Sequence, residues 1–317
     1  MIARFIATVS VFFLLVGLAP AADRQLMSLV MSDARMIAGV NVSQVMSSPF
    51  GQFVLAKMQQ DNRDLERLTT LTGFDPRRDL TEVLVATQGN ASKTSALVLA
   101  LGKFDPDKIF DLVKESGQEL KMHQSVRILA GKSDNHAIAF LNSSIALAGT
   151  LDAVEGAIDR QQVPGVLNQD LADRVAKVSA TQHAWMVSLS PAALADNMPD
   201  PNMSGVMKGD VFKAIEMAVG GVIFGSSVQF SGEAIARTEK DATALADVVR
   251  FLAGLVRSNT SDSNLANMAS LLDTLEVKAE ARSMKLALVI PEDKLEKLIQ
   301  SAEARPHRST GVQTQPK

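Results

Sequence analysis

The segment Ala96–Leu101 alternates two kinds of apolar side chain, with Ala96, Val98 and Ala100 at one set of alternate positions and Leu97, Leu99 and Leu101 at the other. Successive side chains in an extended chain point to opposite faces, so the pattern describes a strand with one small and one bulky apolar face. Ile145–Ala148 repeats it, with Ile145 and Leu147 set against Ala146 and Ala148. Small faces of this kind predict close packing of a helix on a flat sheet. The competing expectation is a narrow apolar groove for a lipid or acyl chain.

How the strands are joined narrows the class further. Leu80–Ala86 and Ala96–Leu101 are separated by Gly89-Asn90-Ala91-Ser92-Lys93, a polar stretch with the composition of a hairpin loop. Val126–Ala130, Ala137–Leu141 and Ser144–Ala148 are linked by Lys132-Ser133-Asp134-Asn135 and Asn142-Ser143. Parallel neighbours need crossovers of a dozen or more residues, so these connections predict antiparallel pairs. Near the end of the chain, Lys278, Glu280 and Arg282 alternate with Val277, Ala279 and Ala281 in a hairpin of Glu276–Arg282 with Met284–Ile290, which describes a sheet with one wet face. The expected class is α+β, antiparallel sheets covered by helices.

The remaining segments are assigned by their punctuation. Arg35–Val40 reads as a strand and Ser48 to Leu71 as one or two helices, ended by Gly73-Phe74-Asp75-Pro76. Asp105-Pro106 starts a helix, because aspartate caps free N–H groups and proline at the first position loses no hydrogen bond. Leu151 to Asp159 is another helix. Ala184–Leu189 is a strand followed by the helix-starting pair Ser190-Pro191, and a helix is expected at Val211–Val219, broken by Gly220-Gly221. Strands Val222–Phe230 and Glu233–Arg237 come next. Leu245, Val248, Val249, Leu252, Leu255 and Val256 mark an amphipathic helix, and Leu265, Met268, Leu271, Leu272 and Leu275 another. Pro291-Glu292-Asp293 opens a final helix to about Ala304.

This order suggests an internal repeat, with strand Met36–Asn41 matching Trp185–Ser190 and helix Asp105–Val113 matching Asp241–Val249. Two related α+β halves are expected, at 22–161 and 162–304, followed by a disordered polar tail at 305–317.

Residues 1–21 have the layout of a secretory signal: Arg4, an apolar run from Phe5 to Leu18, then Ala19-Pro20-Ala21, which sets small residues at −3 and −1 of a cut between Ala21 and Ala22. The run is shorter than the roughly 20 residues a spanning helix needs. Removing it lowers Lys+Arg from 32 to 31 against 35 Asp+Glu, so the net charge moves from −3 to −4. The chain has no cysteine, which rules out disulfides, thiolate metal sites, a cysteine nucleophile and a lipid-modified N-terminal cysteine. A periplasmic or secreted location follows, with no integral membrane segment once the signal is removed.

Composition also argues against whole classes of partner. There is no tyrosine and one tryptophan, Trp185, which argues against the aromatic platforms on which sugars and single-stranded nucleic acids usually stack. The mild acidic balance lacks the basic stripe that follows phosphates, and no nucleic-acid partner is expected.

No catalytic pattern emerges. His123, His136, His183 and His307 lack the spacing of metal ligands, and no metal or cofactor is expected. Ser133-Asp134-Asn135 matches one motif of the penicillin-recognising serine enzymes, but no serine has a lysine three residues on and no Lys-Thr-Gly occurs, so it reads as a turn. Nucleophile elbows, phosphate loops, dinucleotide fingerprints and zinc-protease helices are absent as well. Asp61, Asp64 and Glu66 stand among Arg63 and Arg67 in the manner of a solvated helix face.

The phrases Gly73-Phe74-Asp75-Pro76-Arg77-Arg78-Asp79-Leu80, Gly102-Lys103-Phe104-Asp105 and Ile145-Ala146-Leu147-Ala148-Gly149-Thr150 together resemble a family of uncharacterised exported bacterial proteins of acidobacterial type, over roughly Leu26 to Arg160. The resemblance implies an envelope location and carries no activity. The expectation from sequence is a non-enzymatic extracytoplasmic binding or structural protein of the cell envelope, whose partner is another envelope protein or an apolar ligand. The alternatives are a carrier holding a lipid in a groove between helix and sheet, and a hydrolase working through paired carboxylates.

Overall fold

The computed structural model describes residues 22–303, apart from 62, 89–94, 115–118, 132–134, 190, 192–211 and 259–268. The first part of the chain supplies strands β1 (Met36–Asn41), β2 (Leu80–Thr87), β3 (Ala96–Gly102), β4 (Glu119–His123), β5 (Val126–Ala130), β6 (His136–Phe140) and β7 (Ile145–Thr150). The second part supplies β8 (Ala184–Ser188), β9 (Ile215–Phe224), β10 (Ser227–Ala236), β11 (Glu276–Glu280) and β12 (Ser283–Pro291). The fold is α+β as expected, and the antiparallel sheets are a single one of 12 strands in the order β11-β12-β10-β9-β8-β1-β2-β3-β7-β6-β5-β4. Each hydrogen-bonded pair is antiparallel.

The two parts of the chain meet edge to edge at β1 and β8. Outward from that junction the order is β1, β2, β3, β7, β6 on one side and β8, β9, β10, β12, β11 on the other, and β5 and β4 extend the first side. Helix α6 (Pro106–Lys114) follows β3 and helix α9 (Glu239–Ser258) follows β10; α7 (Leu151–Arg160) follows β7 and α10 (Glu292–Glu303) follows β12.

The other helices start where the sequence provides caps. Asp23 accepts from the N–H groups of Gln25 and Leu26 at the start of α1 (Arg24–Ser28), and Asn41 accepts from Gln44 at the start of α2 (Val42–Ser47). Helices α3 (Pro49–Asp61) and α4 (Arg63–Thr72) occupy the predicted helical stretch, and α5 (Pro76–Asp79) begins on Asp75-Pro76. Asn168 caps α8 (Gln169–Ser179).

Register sorts the side chains into two faces. Ile37, Leu84, Leu97, Leu99, Leu147, Trp185 and Val187 share the bulky face and are fully or almost fully buried in the main core. Leu26 of α1, Ala153, Val154, Ala157 and Ile158 of α7, and Leu171 and Val175 of α8 cover them. A smaller core lies on the opposite face, where Ala242, Leu245 and Ala246 of α9 pack on Ala234, Ala236 and Met284.

The structure corrects the sequence reading in the second part. The expected helix at Val211–Val219 is a 3-10 turn at Phe212–Ala214 running into β9, and Gly220-Gly221 lie inside that strand rather than breaking a helix. Met217 and Val219 face one way and Ala218 and Gly220 the other, but a stretch apolar at most positions satisfies both the helical and the strand period. The hairpin turn falls at Gly225-Ser226, not at Ser231-Gly232. Strand β4 and helix α8 were not anticipated. The expected Leu265–Leu275 helix lies largely outside the described residues, and Leu272–Thr274 is 3-10. The polar tail, Lys132-Ser133-Asp134 and residues 1–21 also lie outside them.

Candidate binding face

The small-residue face of the sheet is the feature that distinguishes this fold. Starting from Ala38, cross-strand pairing runs through Val85, Val98, Ala148, Ile138, Leu129 and Leu120 in one direction. In the other it runs through Met186, Gly220, Gly232, Leu286 and Val277. This row crosses the whole sheet without a polar side chain. The next row on the same face does the same over nine strands: Val40, Val83, Ala100, Ala146 and Phe140 one way, and Ala184, Val222, Phe230 and Leu288 the other.

Helices lie on the flanks of these rows. Phe110 of α6 meets the Phe140 ring at 5.7 Å and the Arg127 guanidinium at 4.4 Å, both side chains of this face. On the other flank α9 covers Met284, Val277 and Ala279. Between them Ala38, Val83, Val85, Val98, Ala100, Ala148 and Met186 are half-buried, Val40 is 37% exposed and Ile138 38%. The alanines on which close helix packing was expected, Ala96, Ala100, Ala146 and Ala148, are covered only in part.

Aromatic rings gather at one end of the sheet, where β1, β3 and β6 finish. Phe104 stands 5.3 Å from Phe74 and 5.5 Å from Phe140, and Phe50 of α3 stacks on Phe224 at 5.3 Å. His183 joins this group, half-buried, with its Nδ1 accepting the Phe224 N–H at 3.2 Å. Burial holds its pKa below the ordinary imidazole value.

Among the described residues, those weighed for chemistry do not converge. His123 is paired with Asp159 at 2.7 Å on the surface, His136 is exposed, and His307 is outside the described residues. Glu66 is exposed, and the side chains of Asp61 and Asp64 are outside the described set. Among the described residues no cluster of His, Asp or Glu has the makings of a metal site, and no helix is long and apolar enough to cross a membrane.

One acid that the sequence reading passed over stands apart. Glu82 is in register with Leu84 and Ala86 on the bulky face and is only 7% exposed. Burial pushes its carboxyl up to about 7, against the opposing hydrogen bond from the Asp23 N–H; the charge of Asp23 adds to the rise. That N–H lies 3.1 and 3.3 Å from the two carboxylate oxygens. The signal was legible in Leu80-Thr81-Glu82-Val83-Leu84, where alternation puts the acid on the buried side.

No protein-family model matches the chain, and no curated protein matches it. Solved structures do. Crystal form III of TP0453 superposes with a TM-score of 0.51 at 8% identity, covering 88% of this chain and 99% of that one. Crystal form IV gives 0.51 at 9% identity over 89% and 97%, and form I gives 0.48 at 8% identity over 89% and 99%. At such identities the likeness concerns the fold alone: the chain is similar to TP0453 in architecture along nearly the full length of both.

Proposed function

We propose that the chain is a non-enzymatic binding protein of the bacterial cell envelope, exported through residues 1–21, which holds the acyl chain of a lipid against the small-residue face of its sheet. The observation that carries this reading is the unbroken apolar row from Leu120 to Val277, half-open between the α6 and α9 flanks. Burying apolar surface stabilises by roughly 25 cal/mol per Å², and a floor of alanine, valine and glycine gives a methylene chain close contact without asking it to satisfy a donor or acceptor. The cysteine-free composition and the Ala19-Pro20-Ala21 segment support a periplasmic or secreted location.

Two related halves fit the same picture. The matching strand order outward from β1 and β8, with α6 and α9 on the same face, supports an ancestral duplication that left a shared floor at the junction. The hydrolase alternative needs carboxylates meeting in a cleft, and Glu82, the acid that burial raises most clearly, is closed off beneath α1.

Titration with a fluorescent fatty acid tests the reading. The wild-type protein should take up the probe in the micromolar range or tighter, and Val98→Glu, at a half-buried position of the floor, should reduce binding by at least about tenfold, equivalent to about 1.4 kcal/mol. Equal binding by the two proteins would contradict it.

A further inference from the structure

The charge balance around Glu82 is incomplete while residue 22 stands in a peptide bond. The carboxylate receives a single described N–H donor, that of Asp23, and the charge acting on it among the described residues is the Asp23 carboxylate, of the same sign. Its neighbours in the sheet are Asn41 on β1, whose side chain caps α2, and Leu101 on β3. Neither supplies a cation. One residue before Asp23 stands Ala22, half-buried against the main core, with its nitrogen 3.0 Å from the Oγ of Ser179 at the end of α8. Standard backbone geometry puts consecutive nitrogens no more than about 3.7 Å apart, so the Ala22 nitrogen lies within about 7 Å of the Glu82 carboxylate.

We infer that removal of residues 1–21 creates the partner that Glu82 lacks: the new α-ammonium of Ala22, held by Ser179, forms an ion pair with the buried Glu82 carboxylate and locks the mature N-terminus into the core. Hydrolysis of the Ala21–Ala22 peptide bond consumes one water and leaves a carboxylate on the departing segment and an ammonium on Ala22. An amide N–H becomes a group with three N–H donors and a positive charge, one donor of which continues to serve Ser179 Oγ. The precursor carries an uncompensated buried acid, and the mature chain does not. Export and final stabilisation are thereby coupled through one bond.

This inference rests on the proposed cut before Ala22, but its test does not. A chain made to begin at Ala22, by cleaving a fusion directly ahead of that residue, is compared with the same chain carrying Gly-Ser before Ala22, each with Glu82 and with Glu82→Gln. At pH 7.0–7.5 the Gly-Ser extension should lower the thermal midpoint by about 3–6 °C in the Glu82 chain and by much less in the Glu82→Gln chain. An equal fall in both backgrounds, or none in either, would overturn the pair. Should Glu82→Gln fail to fold, NMR titration of the α-amino group decides: a pKa above the ordinary 7.7–8.0 or so supports the pair, and an ordinary value overturns it. Intact mass of the exported protein reports separately whether the native cut falls at Ala22.

Discussion

Gly39 on β1 lies directly opposite Trp185 on β8, and the indole fills the space that a side chain at position 39 would need. A Cβ there would stand 2.4 Å from Trp185 Cζ2 and 2.7 Å from Leu84 Cδ2. The contact marks the junction where the two parts of the chain become one sheet. Gly39→Ala must push the indole out of a packed core, so it should cost about 1–3 kcal/mol in urea unfolding, with a shift in the emission of the single tryptophan. A neutral substitution would mean that the junction is looser than described.

Leu99 and Val98 are sequence neighbours on opposite faces of β3. Leu99 is 0% exposed in the main core, whereas Val98 stands half-buried on the small-residue face. Leu99→Ala should cost about 2–5 kcal/mol and Val98→Ala below about 1 kcal/mol, measured by chemical denaturation. Comparable losses would show that the small face is closed.

Asp75 and Asp79 form a latch around α5. Asp75 takes the guanidinium and the N–H of Arg77, while Asp79 takes the guanidinium of Arg78 and the N–H of Asp75 at 2.8 Å. These hydrogen bonds, led by those from the arginines, hold both carboxyls below the ordinary aspartate value. A carboxyl depressed in the folded state contributes stability that is present above the unfolded pKa of about 3.9 and is lost as pH falls through the folded one. Asp79→Ala should therefore cost about 1–2 kcal/mol at pH 7 and much less near pH 2, read from urea midpoints at the two pH values.

Helix α9 has two fates on one element. Leu245 is fully buried, while Phe251 and Leu255 are 65% and 48% exposed. Leu245→Ala should lose about 2–5 kcal/mol, and Phe251→Ser should stay within about 0.5 kcal/mol, both by thermal unfolding. A large loss at Phe251 would place that ring in the core.

The parts of the fold that sequence revealed are those set by local chemistry. Asp105-Pro106 located α6, the alternation of Ala96–Leu101 located β3 with both of its faces, and the charge alternation after Glu276 located the β11/β12 hairpin. Strand β9 was lost because Ile215, Met217, Ala218 and Val219 are apolar on both faces, and only pairing with β8 and β10 selects the extended form. Helix α8 was passed over although Leu171 and Val175 stand four apart, with Asn168 as cap. The binding face was half legible: the alanine positions were visible strand by strand, but their alignment into one row depends on the register of the whole sheet.

Native mass spectrometry of gently purified protein tests the binding face most directly, with wild type compared with a Val85→Glu, Val98→Glu double variant. Acyl-chain lipids should be retained on the wild-type protein and lost from the variant, whose circular dichroism should stay that of the wild type. Wild-type protein free of lipid, or lipid retained equally by a folded variant, would contradict it.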